Sequence, residues 1–561
     1  MNEPNGAEAL VRLLELQGVC HVFGLCGDTS LPFYDAFQRL APGIEHILTR
    51  DERHAAYMAD TYARLTGRPG ICEGPSGGGA TYILPGVVEA QETAVPLLAI
   101  TSDIATTSRG RFALTELDQV SLFRPLTKWN ATLDQAPRLP AMLRRAFREM
   151  TSGRPGAVHL ALPFDTQKAP VPAAELYGDA AFTAVPASRP AADPAAVEAL
   201  AKALAAAERP MAICGGGVLT SGAEAALAAL AERLNLTVAT TITGKGSIGD
   251  DHPLALGVVG SNGGTAETRR LVDEADLILF IGARAGSVTT ERWRHPQPGK
   301  ALIAHVDVDP AVLGANYQTA HSVAGDARTV LEALLSALGD RPVRAADPRS
   351  AIAGAKAEKF ARFEELAGSD ERPIRPEVLV AAAQAALPAD GVIVADPGTP
   401  CPYFSAYWRQ QGAGRRFISN RAHGALGYAL PASIGAAFAR PGAAVLSVMG
   451  DGSFAMAQGE LETALRLQVP VTFVVIANSS FGWIKAGQKS GFGGRYFSVD
   501  FSPCPAAAIA RAMGLDAVRV EAPGELEPAL RSGLRSGRPN LIEVVAQPLE
   551  EAAAPVSEWV A

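Results

Sequence analysis

"VLSVMGDGSF", residues 445–454, decides the fold. Val445 to Met449 form a short run without charge, the length and content of a strand buried on both faces. The run ends in Gly450-Asp451-Gly452. Glycines permit a tight turn and a close ligand approach, and the aspartate between them puts a hard oxygen where the strand leaves the core. In open parallel sheets, ligands bind at the carboxyl ends of strands. The helical stretch expected next, "AMAQGELETALRLQ" (455–468), would aim its first N–H groups at an anion. A second apolar run, "VTFVVIA" (471–477), ends in Asn478, 27 residues after Asp451. Adjacent parallel strands that each end in an oxygen ligand make half of a site for magnesium or calcium, ions that also take phosphate oxygens. Metal, glycines and helix N-terminus together point to a diphosphate.

The same alternation of apolar strands and helical patterns runs through the chain. "HVFGLCG", "PLLAITSD" and "GAVHLALP" are strands in the first stretch, and "AEALVRLLELQG" is a helix. "RPMAICGGG", "ADLILFIGA" and "ALIAHVDVD" are strands in the second; "GVIVADPG", "VPVTFVVIAN" and "PNLIEVVA" join the opening run in the third. The fold class is therefore α/β, with three doubly wound parallel-sheet domains. Pro/Ala-rich passages near 166–192 and 340–351 separate them, giving domains at 1–170, 190–340 and 365–550. A length of 561 residues agrees with about three to four domains.

Bulk properties narrow the function. A net charge of −8 gives no reason to expect nucleic acid or an anionic membrane as partner. No apolar run approaches the roughly 20 residues of a membrane span. The start of the chain has no basic region followed by an apolar core, so no signal peptide is read. Six cysteines lie far apart without a CxxC pair, which fits a reducing cytoplasm and no zinc site. In the middle domain, Gly215 and Gly217 suit a dinucleotide turn, but Thr220 breaks G-x-G-x-x-G. FAD is therefore not implied, and the domain reads as structural.

At this point the chain resembles the thiamine diphosphate enzymes of the acetolactate synthase, pyruvate decarboxylase and benzaldehyde lyase group. Their signature is GDG followed about two dozen residues later by Asn-Asn. The resemblance covers nearly the whole chain and implies pyrimidine-binding, central Rossmann-like and diphosphate-binding domains, in that order. It implies Asp451, Asn478 and the main-chain carbonyl of Ser480 as ligands of Mg2+ or Ca2+. The first Asn of the pair is Ala477 here.

"RDERHAAYMADTYARLTGRPGICEG" (50–74) is similar to the family segment that carries the catalytic glutamate, which falls on Glu52. A base is needed because the thiazolium C2–H is a weak acid; in the family a buried Glu favours the imino tautomer of the aminopyrimidine, which removes that proton. Leu426, in "AHGALGYALP" (422–431), matches the apolar wedge that bends the cofactor. Gly398 and Thr399 of "ADPGT", with Gly424, Gly450, Gly452 and Ser453, fall at cofactor-binding positions. Gly78 in "GPSGGGATY", a turn that lies near the cofactor ring in the family, is a further cofactor-binding candidate; it stands where the family has Pro, and Tyr82 where it has Asn.

The reaction is the open question. Asp28, in "FGLCGDTSL", is similar to a residue of 2-oxo acid decarboxylases that helps protonate the intermediate, or else it caps the next helix. Their His-His pair is missing from "RGRFALTELDQVSLFRPLTKW" (109–129), which looks more like a carboligase segment with Leu114 and Thr115 replacing Phe and Gln. His423 is a candidate proton donor. Thr115, Phe481, Trp483, Ile484 and Gln488 are candidate substrate residues, the last four from a segment expected over the active-site mouth, where Lys485 could also meet a polar tail. The implied activity is Mg- and thiamine diphosphate-dependent decarboxylation or carboligation of a 2-oxo acid. The alternatives are a 2-hydroxy ketone or 2-hydroxyacyl thioester lyase or ligase, and an inactive relative that keeps the cofactor for structure or regulation. The partner is a small carbonyl substrate, and the resemblance implies a homodimer or homotetramer with the active site between subunits.

Overall fold

Apolar runs that were legible as buried strands all lie in parallel sheets. The computed structural model describes residues 3–552 and 554–557. Among them are three sheets of six parallel strands, with helices on both sides. The first holds β1 (His21–Gly24), β2 (Glu45–Leu48), β3 (Gly70–Gly74), β4 (Leu97–Asp103), β5 (Trp129–Thr132) and β6 (Ala157–Pro163), in the order 2-1-3-4-6-5. The second holds β7 (Pro210–Cys214), β8 (Thr237–Thr240), β9 (Ala255–Val258), β10 (Leu277–Ile281), β11 (Leu302–Asp307) and β12 (His321–Ala324), in the order 12-11-10-7-8-9. The third holds β13 (Val392–Ala395), β14 (Phe417–Ile418), β15 (Val445–Gly450), β16 (Val471–Ala477), β17 (Asp516–Val520) and β18 (Asn540–Val545). Its order, 14-13-15-16-18-17, repeats the order of the first sheet. The second sheet has the doubly wound dinucleotide-fold order.

The chain packs into two compact units. One is Met1–Ser188 with Asn420–Gly442 and Gly459–Leu467; the other is Arg189–Ser419 with Ala443–Gln458 and Gln468–Ala561. The first unit is organised around the helix Glu52–Thr66. Asp51 caps its start by accepting the Arg53 N–H at 2.8 Å, and Gly67 ends it in a left-handed conformation, φ 68°. Both its faces are covered, so even polar members are buried. Gly70 of β3 and Gly435 of the helix Ala429–Ala439 allow that contact: a methyl group at Gly435 would stand 2.7 Å from Met58 Cα. Inside, Arg64 pairs with Asp60 at 2.8 Å and Glu89 at 3.1 Å, and Tyr428 donates to Asp60 at 2.7 Å. Mutual pairing is what makes these buried charges tolerable.

The single helix expected after the GDG turn is two. Asp451–Ala457 and Glu460–Arg466 are separated at Gln458-Gly459, and the second belongs to the first unit. Glu460, fully buried, accepts from His54 at 2.9 Å and from the Arg50 N–H at 2.8 Å, which fixes that placement. In the second sheet, the turns after β7 and β10 close on each other: the Gly217 N–H donates to the Gly282 carbonyl at 3.1 Å. No helix among the described residues is long and apolar enough to cross a membrane.

Candidate active site

Register in the third sheet aligns the residues that the sequence singled out. Gly450 pairs with Ile476 across β15 and β16, so Asp451 and Asn478 emerge side by side at the carboxyl ends of adjacent strands. The order reverses between β13 and β15, the position where such sheets take ligands. Asp451 is 1% exposed. Its carboxylate accepts N–H groups from Gly452 at 2.9 Å, Asn478 at 3.0 Å and Ser479 at 2.6 Å. Burial raises its proton affinity above the ordinary aspartate value, and those N–H groups only partly offset it. Ser479 adopts φ 56°, a strained conformation for a residue with a side chain, held here by the turn. The Asn478 side-chain oxygen accepts the Ser480 N–H at 3.3 Å. Ser453 donates to the buried Asp396 at the end of β13.

The donor set fits a diphosphate-bound magnesium. One buried carboxylate and one amide oxygen are hard ligands, and no three His, Cys, Asp or Glu side chains gather into a metal site among the described residues. Such a partial shell suits an ion that takes further oxygens from a diphosphate. A methyl group at Gly450 would meet nothing within 4 Å. Gly452 is different: a methyl group there would stand 2.7 Å from the ring of Phe481, which packs edge-on against Phe501. Thr399 is buried against Gly482, with Gly398 half-buried beside it.

In the first unit, Glu52 opens the central helix, 7% exposed. Burial holds its carboxyl above the ordinary glutamate range, helped by the charges of Asp51 and Glu73 and opposed by its own N–H and by Arg53. Gly74 and Gly79 lie against it; a methyl group at Gly79 would stand 3.1 Å from Glu52 Oε1. Gly78 faces open space, and Tyr82 is 57% exposed. Asp28 is exposed in a short turn and caps no helix. Thr115 sits at φ 67° over Gly77, and its hydroxyl meets Ser76 at 2.7 Å. That contact continues a row the sequence reading missed: Ser76 to Thr29 at 2.9 Å, and Thr29 to Ser102 at 2.7 Å. Of the four, only Thr115 directly follows an apolar stretch (112–114), so the sequence carried almost no signal for the row.

The loop that carries His423, Gly424 and Leu426 also belongs to the first unit. Glu89 accepts the His423 N–H at 2.7 Å, and Asn420 donates to the Ala425 carbonyl at 2.7 Å. Gly424 and Gly427 take φ 71° and 81°; His423 is exposed and Leu426 half-buried. The segment after Asn478 forms the helix Gly482–Phe492. Trp483 packs on the core of the third sheet, whereas Ile484 is 55% exposed. Lys485 pairs with Asp500 and Glu550, both at 2.8 Å. Gln488 exchanges two 3.0 Å hydrogen bonds with the backbone of Phe497.

Two sheets of the same strand order, one before and one after a dinucleotide-type sheet along the chain, with a GDG turn at a switch point, define a cofactor enzyme of the thiamine diphosphate kind. Family models agree. The N-terminal and C-terminal TPP binding domains of thiamine pyrophosphate enzymes match residues 4–122 and 396–544, and the central domain matches 197–334. The chain is 34% identical to a "Probable acetolactate synthase large subunit" of Methanocaldococcus jannaschii, covering 97% of this chain and 92% of that one. It is 31% identical to the acetolactate synthase isozyme 3 large subunit of Escherichia coli (96% and 94% covered). It is 35% identical to a "Probable 2-ketoarginine decarboxylase" of Pseudomonas aeruginosa (96% and 93% covered). The chain belongs to the thiamine diphosphate enzyme family, in the acetolactate synthase group.

Proposed function

We propose that this protein is a magnesium- and thiamine diphosphate-dependent enzyme that decarboxylates a 2-oxo acid and either protonates the product or joins it to an acceptor carbonyl. The observation that carries the reading is the pairing of Asp451 and Asn478 at adjacent strand ends, together with a buried Glu52 whose proton affinity is raised. The names of the relatives, synthases of acetolactate and a 2-oxo acid decarboxylase, support the substrate class.

When bound, thiamine diphosphate supplies a carbon nucleophile and an electron sink for C–C cleavage next to a carbonyl. Asp451, Asn478 and the Ser480 carbonyl would hold the metal on its diphosphate. Gly398, Thr399, Gly450, Gly452 and Ser453 would line the diphosphate, and Leu426 would set the angle between its rings. Glu52 would hold a proton against the pyrimidine nitrogen, a role that its raised proton affinity suits. Asp28, His423 and the hydroxyl row ending at Thr115 are the candidate proton donors and acceptor contacts. The first domain takes the pyrimidine and the third the diphosphate, from different subunits of a cytoplasmic homodimer or tetramer. Product analysis with pyruvate, longer 2-oxo acids and benzoin-type ketones tests the reading. CO2 with an aldehyde or acyloin supports it; cleavage of hydroxy ketones alone replaces it with a lyase.

A further inference from the structure

A buried amine lies where the helix Arg349–Ala367 packs on β9, the edge strand of the second sheet. Lys359, on that helix, is 5% exposed. A lysine buried that far is expected to pair its ammonium or to carry it out to water. Among the described residues, Lys359 Nζ has neither a hydrogen bond nor an ion pair. Its surroundings are a strand and two rings. A methyl group at Gly257, within β9, would stand 4.0 Å from Nζ, and the ring centres of Phe360 and Tyr407 lie 5.4 Å and 5.7 Å from it.

Two other lysines reach the same place, and both are engaged. Lys356, one turn earlier on the same helix face, donates to the carbonyls of Asp250 at 2.6 Å and of Ala255, on β9, at 3.2 Å. Lys245, buried, pairs with the Asp250 carboxylate at 2.8 Å, and the same carboxylate oxygen accepts the Gln410 N–H at 2.9 Å. The charged groups that face Lys359 are Lys245, Asp250, Lys356 and Glu267, the last from the helix Ala266–Glu274. Burial first, then the charge of Lys245 with help from Lys356, brings the Lys359 ammonium down to about 7, against the opposing charges of Asp250 and Glu267. Near neutral pH about half of this side chain is therefore a free amine, the nucleophilic form.

Burial also decides what can reach the amine. An acyl phosphate or a 2-oxo acid would have to give up the hydration of its charge. Carbon dioxide is small and uncharged. Its addition product is an anion, for which two neighbouring ammonium groups are countercharges.

We propose that Lys359 is a carbamylation site: its unpaired amine adds carbon dioxide, and the ammonium groups of Lys356 and Lys245 stabilise the carbamate. The nitrogen lone pair forms the N–C bond, one C–O π pair moves onto oxygen, and a proton leaves the nitrogen for water. Amine and CO2 thus give carbamate and H+, with no change in oxidation state. The site needs only dissolved CO2 and does not rest on the proposed reaction, which would release the same molecule.

The test incubates full-length protein near neutral pH with isotopically labelled bicarbonate as the source of CO2. Carbamates are trapped with a trialkyloxonium salt and located by peptide mass spectrometry, and the carbamate carbon resonance of the folded protein is read by NMR in parallel. Trapped carbamate at Lys359 should exceed that at an exposed lysine such as Lys300 by about 100-fold or more, because the exposed one is almost wholly protonated. The yield rises with pH through about 7, and the excess disappears in urea. Lys359→Met, which suits the apolar surroundings, removes the resonance; the peptide map of the wild type decides the site by itself if that variant does not fold. Absence of both signals, labelling no greater than at Lys300, or an excess that persists in urea overturns the inference. Acetyl phosphate given instead of bicarbonate should spare Lys359, and preferential acetylation there would overturn carbon dioxide as the ligand.

Discussion

Two neighbouring glycines in the turn after β3 give opposite expectations for the same substitution. A methyl group at Gly79 would stand 2.7 Å from Pro75 Cγ and 3.1 Å from Glu52 Oε1. The proline ring cannot rotate away, so the helix Gly78–Tyr82 or the Glu52 carboxyl must move. Overpacking of this kind costs about 1–3 kcal/mol. For a unit of about 200 residues that is roughly 2–12 °C in melting temperature. At Gly78 a methyl group meets nothing within 4 Å, and the backbone is not left-handed. Gly78→Ala therefore restricts only the unfolded chain and stabilises by about 0.4–1 kcal/mol. Calorimetric scans of the cofactor-free protein measure both. The C2–H exchange rate of thiamine diphosphate adds a functional readout: Gly79→Ala slows it about tenfold or more through the displaced carboxyl, and Gly78→Ala leaves it within about twofold. Equal melting shifts for the two variants, or normal exchange in a destabilised Gly79→Ala, would refute the packing of this turn against Glu52.

Other outcomes follow from the same contacts. Glu52 holds its proton more tightly folded than unfolded, so the wild type loses stability as pH rises from about the unfolded value of 4.5 through the folded one. Glu52→Gln removes that loss: urea unfolding should show it matching the wild type near pH 4 and exceeding it at neutral pH, and a variant weaker at every pH would contradict the sign. Arg64→Ala strands Asp60 and Glu89 inside the first unit, at a cost of about 3–5 kcal/mol visible as a lower urea midpoint. A loss under 1 kcal/mol would mean that the network is not closed. Asp451→Asn keeps the backbone hydrogen bonds of the turn but removes the charge, so calorimetric titration should find magnesium-dependent cofactor binding weaker by about 100-fold or more. Unchanged affinity would move the metal elsewhere.

How much was legible in the sequence depended on burial. Strands covered on both faces, such as Val471–Ala477 and Ala157–Pro163, read as mostly apolar runs with one polar residue each and were found with their ends nearly in place. Edge strands were not: Trp129–Thr132 is half-buried throughout and Asp516–Val520 mostly exposed, so neither carries an apolar run. The pairing of Asp451 with Asn478 was legible because each directly follows such a run. Glu460 was not, because a glutamate in an amphipathic stretch reads as surface, whereas His54 and the Arg50 N–H draw it inside. The hydroxyl row was hidden for a related reason. Thr29, Ser76, Ser102 and Thr115 are far apart in the chain and meet only where the loops around the first sheet come together, which local patterning does not encode.

The measurement that tests the central claim most directly compares the wild type with Glu52→Gln, both given thiamine diphosphate and magnesium, by C2–H exchange and by CO2 release from a panel of 2-oxo acids. The account predicts fast exchange and CO2 from at least one acid in the wild type, with both reduced by about 100-fold or more in the variant. Fast exchange with no CO2 from any acid, or a variant as active as the wild type, would contradict it.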